Sequence, residues 1–321
     1  MGQISQYGNY PNSYRGFVQM FPNDAACEAF LYKLRWPDGF VCRSCNTATT
    51  PWNQSRGRLV CPICRYQTSV TAGTIFDKTR TPLTTWLEAA WHVTTAKNGM
   101  SAKTLERTIG TSYQVAWMML QRFRVAMVSS ERKQLSGTIE VDETFVGGVQ
   151  QGGKRGRGAL KSVVVIAVEM KEPKGFGRIR MRCIPDASAT SLQSFVCDAV
   201  APGTIVHTDG WRGYSKLSEL GFSHEVTVMS SSDDPAHVSM PGVHRIASLL
   251  KRWILGTHQG SVGRGHLQSY LEEFTFRFNR RTSRSRGLVF LRLLQQAVVT
   301  GPTTESDVIG GYDWGLSADV D

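Results

Sequence analysis

Residues 138–148 read TIEVDETFVGG, residues 162–170 read SVVVIAVEM and residues 203–210 read GTIVHTDG. The first stretch alternates, so Glu140, Asp142 and Thr144 share one face of a strand and Ile139, Val141 and Glu143 the other. The second is an almost unbroken β-branched run, the mark of a central strand buried on both faces. The third is a short apolar strand that stops on Asp209 in a T-D-G turn. Around these lie four further segments. RIRMRCIP alternates and reads as a third strand nearer a sheet edge. SATSLQSFVCDAV reads as a helix capped by Ser188, WRGYSKLSEL as a short helix and SHEVTV as a fifth strand. Between the first two strands, GGVQQGGKRGRGALK reads as a hairpin loop able to touch phosphates.

Three strands, a helix, a strand, a helix and a strand is the RNase H-like order. The predicted class is α/β, a mixed five-stranded sheet with flanking helices. That order brings Asp142 and Asp209 to matching ends of adjacent strands. Paired carboxylates suit phosphoryl transfer assisted by two divalent ions about 4 Å apart, one carboxylate bridging both. Hard Mg2+ prefers such oxygens. Asp142 is the candidate bridge and Asp209 the second ligand. Each alone also fits ordinary turn chemistry. In PGVHRIASLLKRWILGTHQG, residues 241–260, the apolar positions Ile246, Leu249, Leu250 and Trp253 mark a helix. His244 opens it, 35 residues past Asp209, where a third ligand is expected, and Lys251 follows two turns later on nearly the same face. His244 also fits a helix cap or a core histidine. As a ligand it is softer than carboxylate and favours Mn2+. Asp233, Asp234, Glu272 and Glu273 are rival acids.

Upstream, Cys42, Cys45, Cys61 and Cys64 form C-x2-C, fifteen residues and C-x2-C. Each pair aims two thiolates at one point, and two pairs complete the tetrahedral four-sulfur shell of a closed, structural Zn2+ site. Two disulfides are the alternative, and they need an oxidising compartment. Residues 47–60 between the pairs read as a short hairpin. Cys27, Cys183 and Cys197 lie in apolar stretches and read as small buried hydrophobes. Arg35, Arg43, Arg56, Arg58 and Arg65 interleave with Trp36, Trp52 and Tyr66. This pattern suits phosphate contact and stacking, and equally a charged face over a small aromatic core.

From residue 81 the pattern turns helical, with Trp86, Ala89, Ala90 and Val93 at helical spacing. Ser101 caps a helix with Ala102, Leu105 and Ile109 on its apolar face. Gly110, Thr111 and Ser112 make a turn, and Val115, Ala116, Met119 and Phe123 begin a second helix. Two short helices at a glycine turn fit a helix-turn-helix, in which Ser112, Tyr113 and Gln114 approach base edges and Arg122 and Arg124 lie on outer faces. A plain helical hairpin bridging two domains fits the same pattern.

The 321 residues hold 37 Lys and Arg against 26 Asp and Glu, a formal charge of +11, with 41% hydrophobic residues, enough for ordinary cores. The sequence pI near 9.5 points to an anionic partner. Residues 1–135 carry 16 basic against 7 acidic side chains and residues 245–292 carry 10 against 2, whereas residues 302–321 have five acids and no base. Two nucleic-acid-facing surfaces and an acidic tail are expected. No apolar stretch approaches the ~20 residues that span a bilayer, and the N-terminus lacks a secretory pattern, so a cytoplasmic, nucleoid-associated protein is expected. The expected domains are a loosely ordered tail over 1–20, a zinc ribbon over 21–80, a helix-turn-helix-like segment over 81–130, the RNase H-like domain over 131–300 and an acidic tail over 301–321.

VDETFVGG, HTDGWRGY, HRIASLLKRWILGTHQGSV and HLQSYLEEFTFRFNRRTSRSRG, behind a four-cysteine ribbon, closely resemble bacterial insertion-sequence transposases of the ISXO-two-like type, over roughly residues 20–300. The resemblance implies a DDE-type transposase that cuts element ends with water and joins the 3′-hydroxyls to target double-stranded DNA, acting as a homodimer or higher assembly. It implies Asp142, Asp209 and His244 as an Asp-Asp-His ligand set for Mg2+ or Mn2+, since the third position varies in that family, and Lys251 as a phosphate contact. Arg277, Arg280, Arg281 and Arg284, with Asn279 and Arg286, form a basic stretch suited to DNA backbones. A charged helix end fits that stretch too, and Phe274 and Phe278 beside it read as helix core. Two other functions fit: a catalytically silent DNA-binding regulator derived from a transposase, and a structure-specific nuclease.

Overall fold

The computed structural model describes residues 10–128, 132–147, 161–227, 240–260 and 262–309. Two compact units emerge, one from Met1–Ser129 with Thr282–Ile309 and one within Ser130–Arg281. Among the described residues no helix is long and apolar enough to cross a membrane.

The first unit opens with α1 (Tyr14–Met20) and α2 (Asp24–Arg35), capped by Ser13 and Asn23, whose side chains accept from the Gly16 and Ala26 amides. A three-stranded antiparallel sheet follows, of β1 (Trp52–Gln54), β2 (Arg58–Val60) and β3 (Gln67–Thr68). It contains the expected hairpin between the cysteine pairs. Next come α3 (Leu83–Thr95), α4 (Ala102–Ile109) and α5 (Tyr113–Ala126). Ser101 and Ser112 cap the last two, and Gly110 ends α4 at φ 65°, a left-handed conformation that suits glycine.

The second unit is a mixed sheet ordered β6-β5-β4-β7-β8. Its strands are β4 (Thr138–Val146), β5 (Ser162–Met170), β6 (Phe176–Ile184), β7 (Ile205–Thr208) and β8 (Ser223–Val226). The first three pair antiparallel, and β7 and β8 continue parallel to β4. Helix α6 (Ala189–Ala199), capped by Ser188, covers one face, where Ile139, Val141, Val165, Val206, Phe195 and Leu192 pack together. Helices α7 (Pro241–His258) and α8 (Leu267–Asn279) cover the other, against Val164, Ile166, Val168, Ile179 and Met181. Each fully buried aliphatic side chain is worth roughly 1.5–3 kcal/mol. The segment expected as a helix after Asp209 is instead a 3-10 turn, Arg212–Tyr214, followed by further turns.

Three boundaries differ from the sequence expectation. Residues 14–20 are helix α1, where a loose tail is expected. Helix α9 (Arg286–Ala297), expected in the second domain, belongs to the first unit. Its Phe290 packs on Phe17 and Trp91, and a Cβ on Gly287 would sit 1.8 Å from the Pro11 carbonyl oxygen, so only glycine admits that crossing. Residues 305–309 form α10, whose Glu305 accepts from the Gln114 side chain at 2.9 Å. The glycine- and arginine-rich loop over 148–160 and the Asp233–Asp234 pair lie outside the described residues.

Candidate active site and metal centre

The four ribbon cysteines bring their sulfurs within 4.8 Å of one another. Cys42 and Cys64 are 3.6 Å apart and Cys45 and Cys61 3.8 Å. A disulfide needs ~2.05 Å. A tetrahedron with Zn–S bonds of ~2.3 Å has edges near 3.8 Å, so the spacing fits four thiolates around one Zn2+. The two knuckles are built alike. The Asn46 amide donates to the Cys42 carbonyl and the Arg65 amide to the Cys61 carbonyl, with Asn46 and Arg65 at φ 53° and 62°. The Cys42 and Cys61 amides donate in turn to Thr47 and Tyr66. Each chain thereby reverses within one turn and aims both sulfurs inward. Arg65 stacks on exposed Trp52 at 4.4 Å.

In the second unit, Thr138 pairs with Ile205, Ile139 with Val206 and Glu140 with His207 in a parallel ladder. Continuing that register by two residues sets Asp142 opposite Asp209, one residue past β7. Neighbouring strands lie ~4.8 Å apart. The two carboxylates feel each other: burial, then Glu143, then Asp209 push the Asp142 carboxyl up to about 7. A site that crowds acids this way attracts a cation, and its donors are the hard oxygens that Mg2+ and Mn2+ prefer. One oxygen of Asp142 accepts from the Glu143 amide and one of Asp209 from the Trp211 amide.

His244 lies in the first turn of α7, half-buried, with the helix start seated on β4: the Val243 amide donates to Glu140 at 3.0 Å. Among the described residues the four cysteines are the only group of three or more such ligands drawn within 4.8 Å, so Asp142, Asp209 and His244 do not close to that distance as a trio. Lys251, exposed on the same helix, lies within electrostatic reach of Asp142. Burial of its stem and Lys161 lower its pKa, and Asp142 raises it. Glu272 and Glu273 are buried: Glu272 pairs with Arg132 and Glu273 with Arg277 at 2.9 Å.

The expected DNA-facing residues divide sharply. Ser112, Tyr113 and Gln114 are exposed at the start of α5, though the Ser112 hydroxyl caps the helix, accepting from the Val115 amide. Arg124 is 1% exposed, inside the helical core, and so does not face DNA. Arg122 is half-buried and donates to the Thr303 and Ile75 carbonyls at 3.0 and 3.1 Å. Both point inward because α5 is packed on several sides, which its arginine spacing does not reveal. From the first turn of α8 to just past its end, the chain serves the sheet edge. Gln268 accepts from the Cys183 amide at 2.8 Å. Asn279 accepts from the Ile179 amide at 2.8 Å and donates to its carbonyl at 3.2 Å. Arg281 donates to the Gly177 and Phe176 carbonyls. These groups lie along β6, whose outer edge has no strand partner among the described residues, so α8 satisfies a free sheet edge. Arg277 is held by Glu273, and Arg280 and Arg281 stack on Phe276 and Phe278 at 3.9 and 3.8 Å. Arg284 is exposed.

Sequence reasoning missed Glu140, Glu143 and Tyr214. Tyr214 is fully buried, and its hydroxyl donates to Glu143 at 3.0 Å. Glu143 next to Asp142 offered a signal, but the Tyr214 partner, 71 residues away, did not.

Comparison with known proteins finds matches to both units. Residues 134–279 match the ISXO2-like transposase domain, nearly the span of the second unit, and residues 22–67 match a transposase zinc-ribbon domain. A Haemophilus influenzae protein described as "Uncharacterized transposase-like protein" is 25% identical over 116 residues, 36% of this chain and 93% of that protein. The two domain matches together cover more than half of the sequence and set a transposase zinc ribbon ahead of an ISXO2-like transposase domain.

Proposed function

We propose that the protein is a DNA transposase that cleaves the ends of an insertion sequence and joins the 3′-hydroxyls to target DNA. The observation that carries this reading is the parallel register of β4 and β7, which carried two residues further sets Asp142 opposite Asp209, beside the helix bearing His244 and Lys251. Asp142, Asp209 and His244 would hold the divalent ions, Mg2+ or Mn2+. Bound there, such ions make water or a 3′-hydroxyl nucleophilic and neutralise charge on the phosphate. The half-buried Asp142 carboxylate and that of Asp209, presented on a loop braced by Tyr214, would supply the oxygen donors for these ions. Lys251 binds the scissile-end phosphates as a point charge. The exposed N-terminal turn of α5 and the exposed ribbon arginines Arg43, Arg58 and Arg65 hold the duplex, whose two ends require at least two copies of the chain. Arg284 adds a backbone contact.

Strand joining on DNA carrying the element's terminal repeats, in Mg2+ and in Mn2+, tests this directly. Wild type is expected to join, Asp142→Asn and Asp209→Asn to lose joining in both metals, and His244→Ala to lose more in Mg2+ than in Mn2+. Tight end binding with neither cleavage nor joining in either metal would identify a DNA-binding regulator instead.

A further inference from the structure

Three acids fall within four residues of β4, and two of them reach out to other segments. Glu140, 3% exposed, accepts from the Val243 amide at 3.0 Å and from the Gly242 amide. Helix α7 has no side-chain cap of its own. Glu140 therefore supplies, from a neighbouring strand, the oxygen that an N-cap residue ordinarily supplies to the first free amides of a helix. The approach is close: a Cβ on Gly242 would lie 2.8 Å from the Glu140 carboxylate and 2.7 Å from the Met170 sulfur. His244 is two residues further on.

Glu143 points to the opposite face of the sheet. Its carboxylate accepts from Tyr214, the buried residue five positions after Asp209. The loop between them is held to the α6 side by Gln193, which donates to the Gly213 carbonyl at 3.0 Å, and by Trp211, whose indole donates to Ala187 at 2.9 Å. The Glu143–Tyr214 bond ties that loop to β4 itself. We propose that Glu140 and Glu143 are positioning residues: Glu140 seats the segment bearing His244, and Glu143, through Tyr214, seats the loop bearing Asp209. Strand β4 then sets the placement of all three ligand residues, not only of Asp142. The proposal rests on reading those three as the ligands.

The test combines two readouts on the full chain, amide hydrogen exchange and Mn2+ affinity by calorimetry. Glu140→Ala is expected to speed exchange over 242–246 and leave 209–214 unchanged. Glu143→Ala and Tyr214→Phe are expected to do the reverse. Mn2+ affinity is expected to fall about tenfold in all three, the usual scale for outer-shell partners of a metal site. Glu140→Gln and Glu143→Gln keep an accepting oxygen without the charge, and should restore most of the affinity. Tyr214→Phe removes one oxygen and no carbon, so it carries the test if an alanine variant fails to fold. Unchanged exchange in both segments, a uniform rise across the chain, or glutamine variants as weak as the alanine ones would overturn the proposal. If wild type binds no Mn2+, the ligand reading fails, and the exchange pattern by itself decides whether the two glutamates hold these segments.

Discussion

Replacing Asn279 with leucine should unfold the second unit more easily without touching DNA binding. The side chain satisfies both backbone groups of Ile179 on the open edge of β6, accepting at 2.8 Å and donating at 3.2 Å. Ile179 is fully buried, so no water replaces these partners. Leaving a buried amide unsatisfied costs ~1–3 kcal/mol, and the longer bond to the carbonyl adds less, so about 2 kcal/mol is expected in all. In a unit of this size that corresponds to a fall in Tm of about 4–8 °C. Thermal denaturation of the full chain by calorimetry, with DNA affinity measured on the same preparations, reads both quantities. Asn279→Asp keeps the acceptor and loses the donor, and should fall between. An Asn279→Leu variant with unchanged Tm but weakened DNA binding would refute the edge-satisfying role and return the stretch over 277–281 to the DNA interface.

Other outcomes follow from the same geometry. Arg122→Met removes two bonds to backbone carbonyls and should cost ~1–3 kcal/mol, while Arg284→Ala, at an exposed position, should stay within about 0.5 kcal/mol. Denaturant titration distinguishes them, and only the second is expected to weaken DNA binding. Chelation of Zn2+, or Cys61→Ser, should unfold the ribbon and expose β1–β3 to protease, because a small cysteine-ligated domain folds through its metal. A ribbon that stays protease-resistant without metal would contradict this. Burial raises the pKa of Glu169, but bonds from the Arg178 side chain and from the Arg178 and Ser136 amides outweigh it, leaving the folded value below 4.5. Its contribution is then present above about pH 4.5 and lost as pH falls through the folded value. Glu169→Gln should cost ~1–3 kcal/mol near pH 7 and progressively less at acid pH below the folded value. Equal losses at neutral and acid pH would show that charge is not the source.

What the sequence determined by itself is what local pattern encodes. The cysteine spacing fixes a tetrahedral sulfur site because ligand geometry allows few alternatives. The alternation in residues 138–148 and the β-branched run after it fix strands, and the short strand ending at Asp209 follows from its turn. Ser101 and Ser188 announced their helices because capping is local. Partner choice across long separations was decided only by the tertiary structure. The return of α9 to the first unit depends on Phe290 meeting Phe17, 273 residues earlier, and no periodicity records that. Basic residues near Asn279 look alike in sequence whether they face phosphate or a bare strand edge; the open side of β6 made the choice. The same holds for the acids of β4. Asp142, Glu140 and Glu143 are chemically alike, and the pleat with its two covering layers sends one toward Asp209, one to the start of α7 and one to Tyr214.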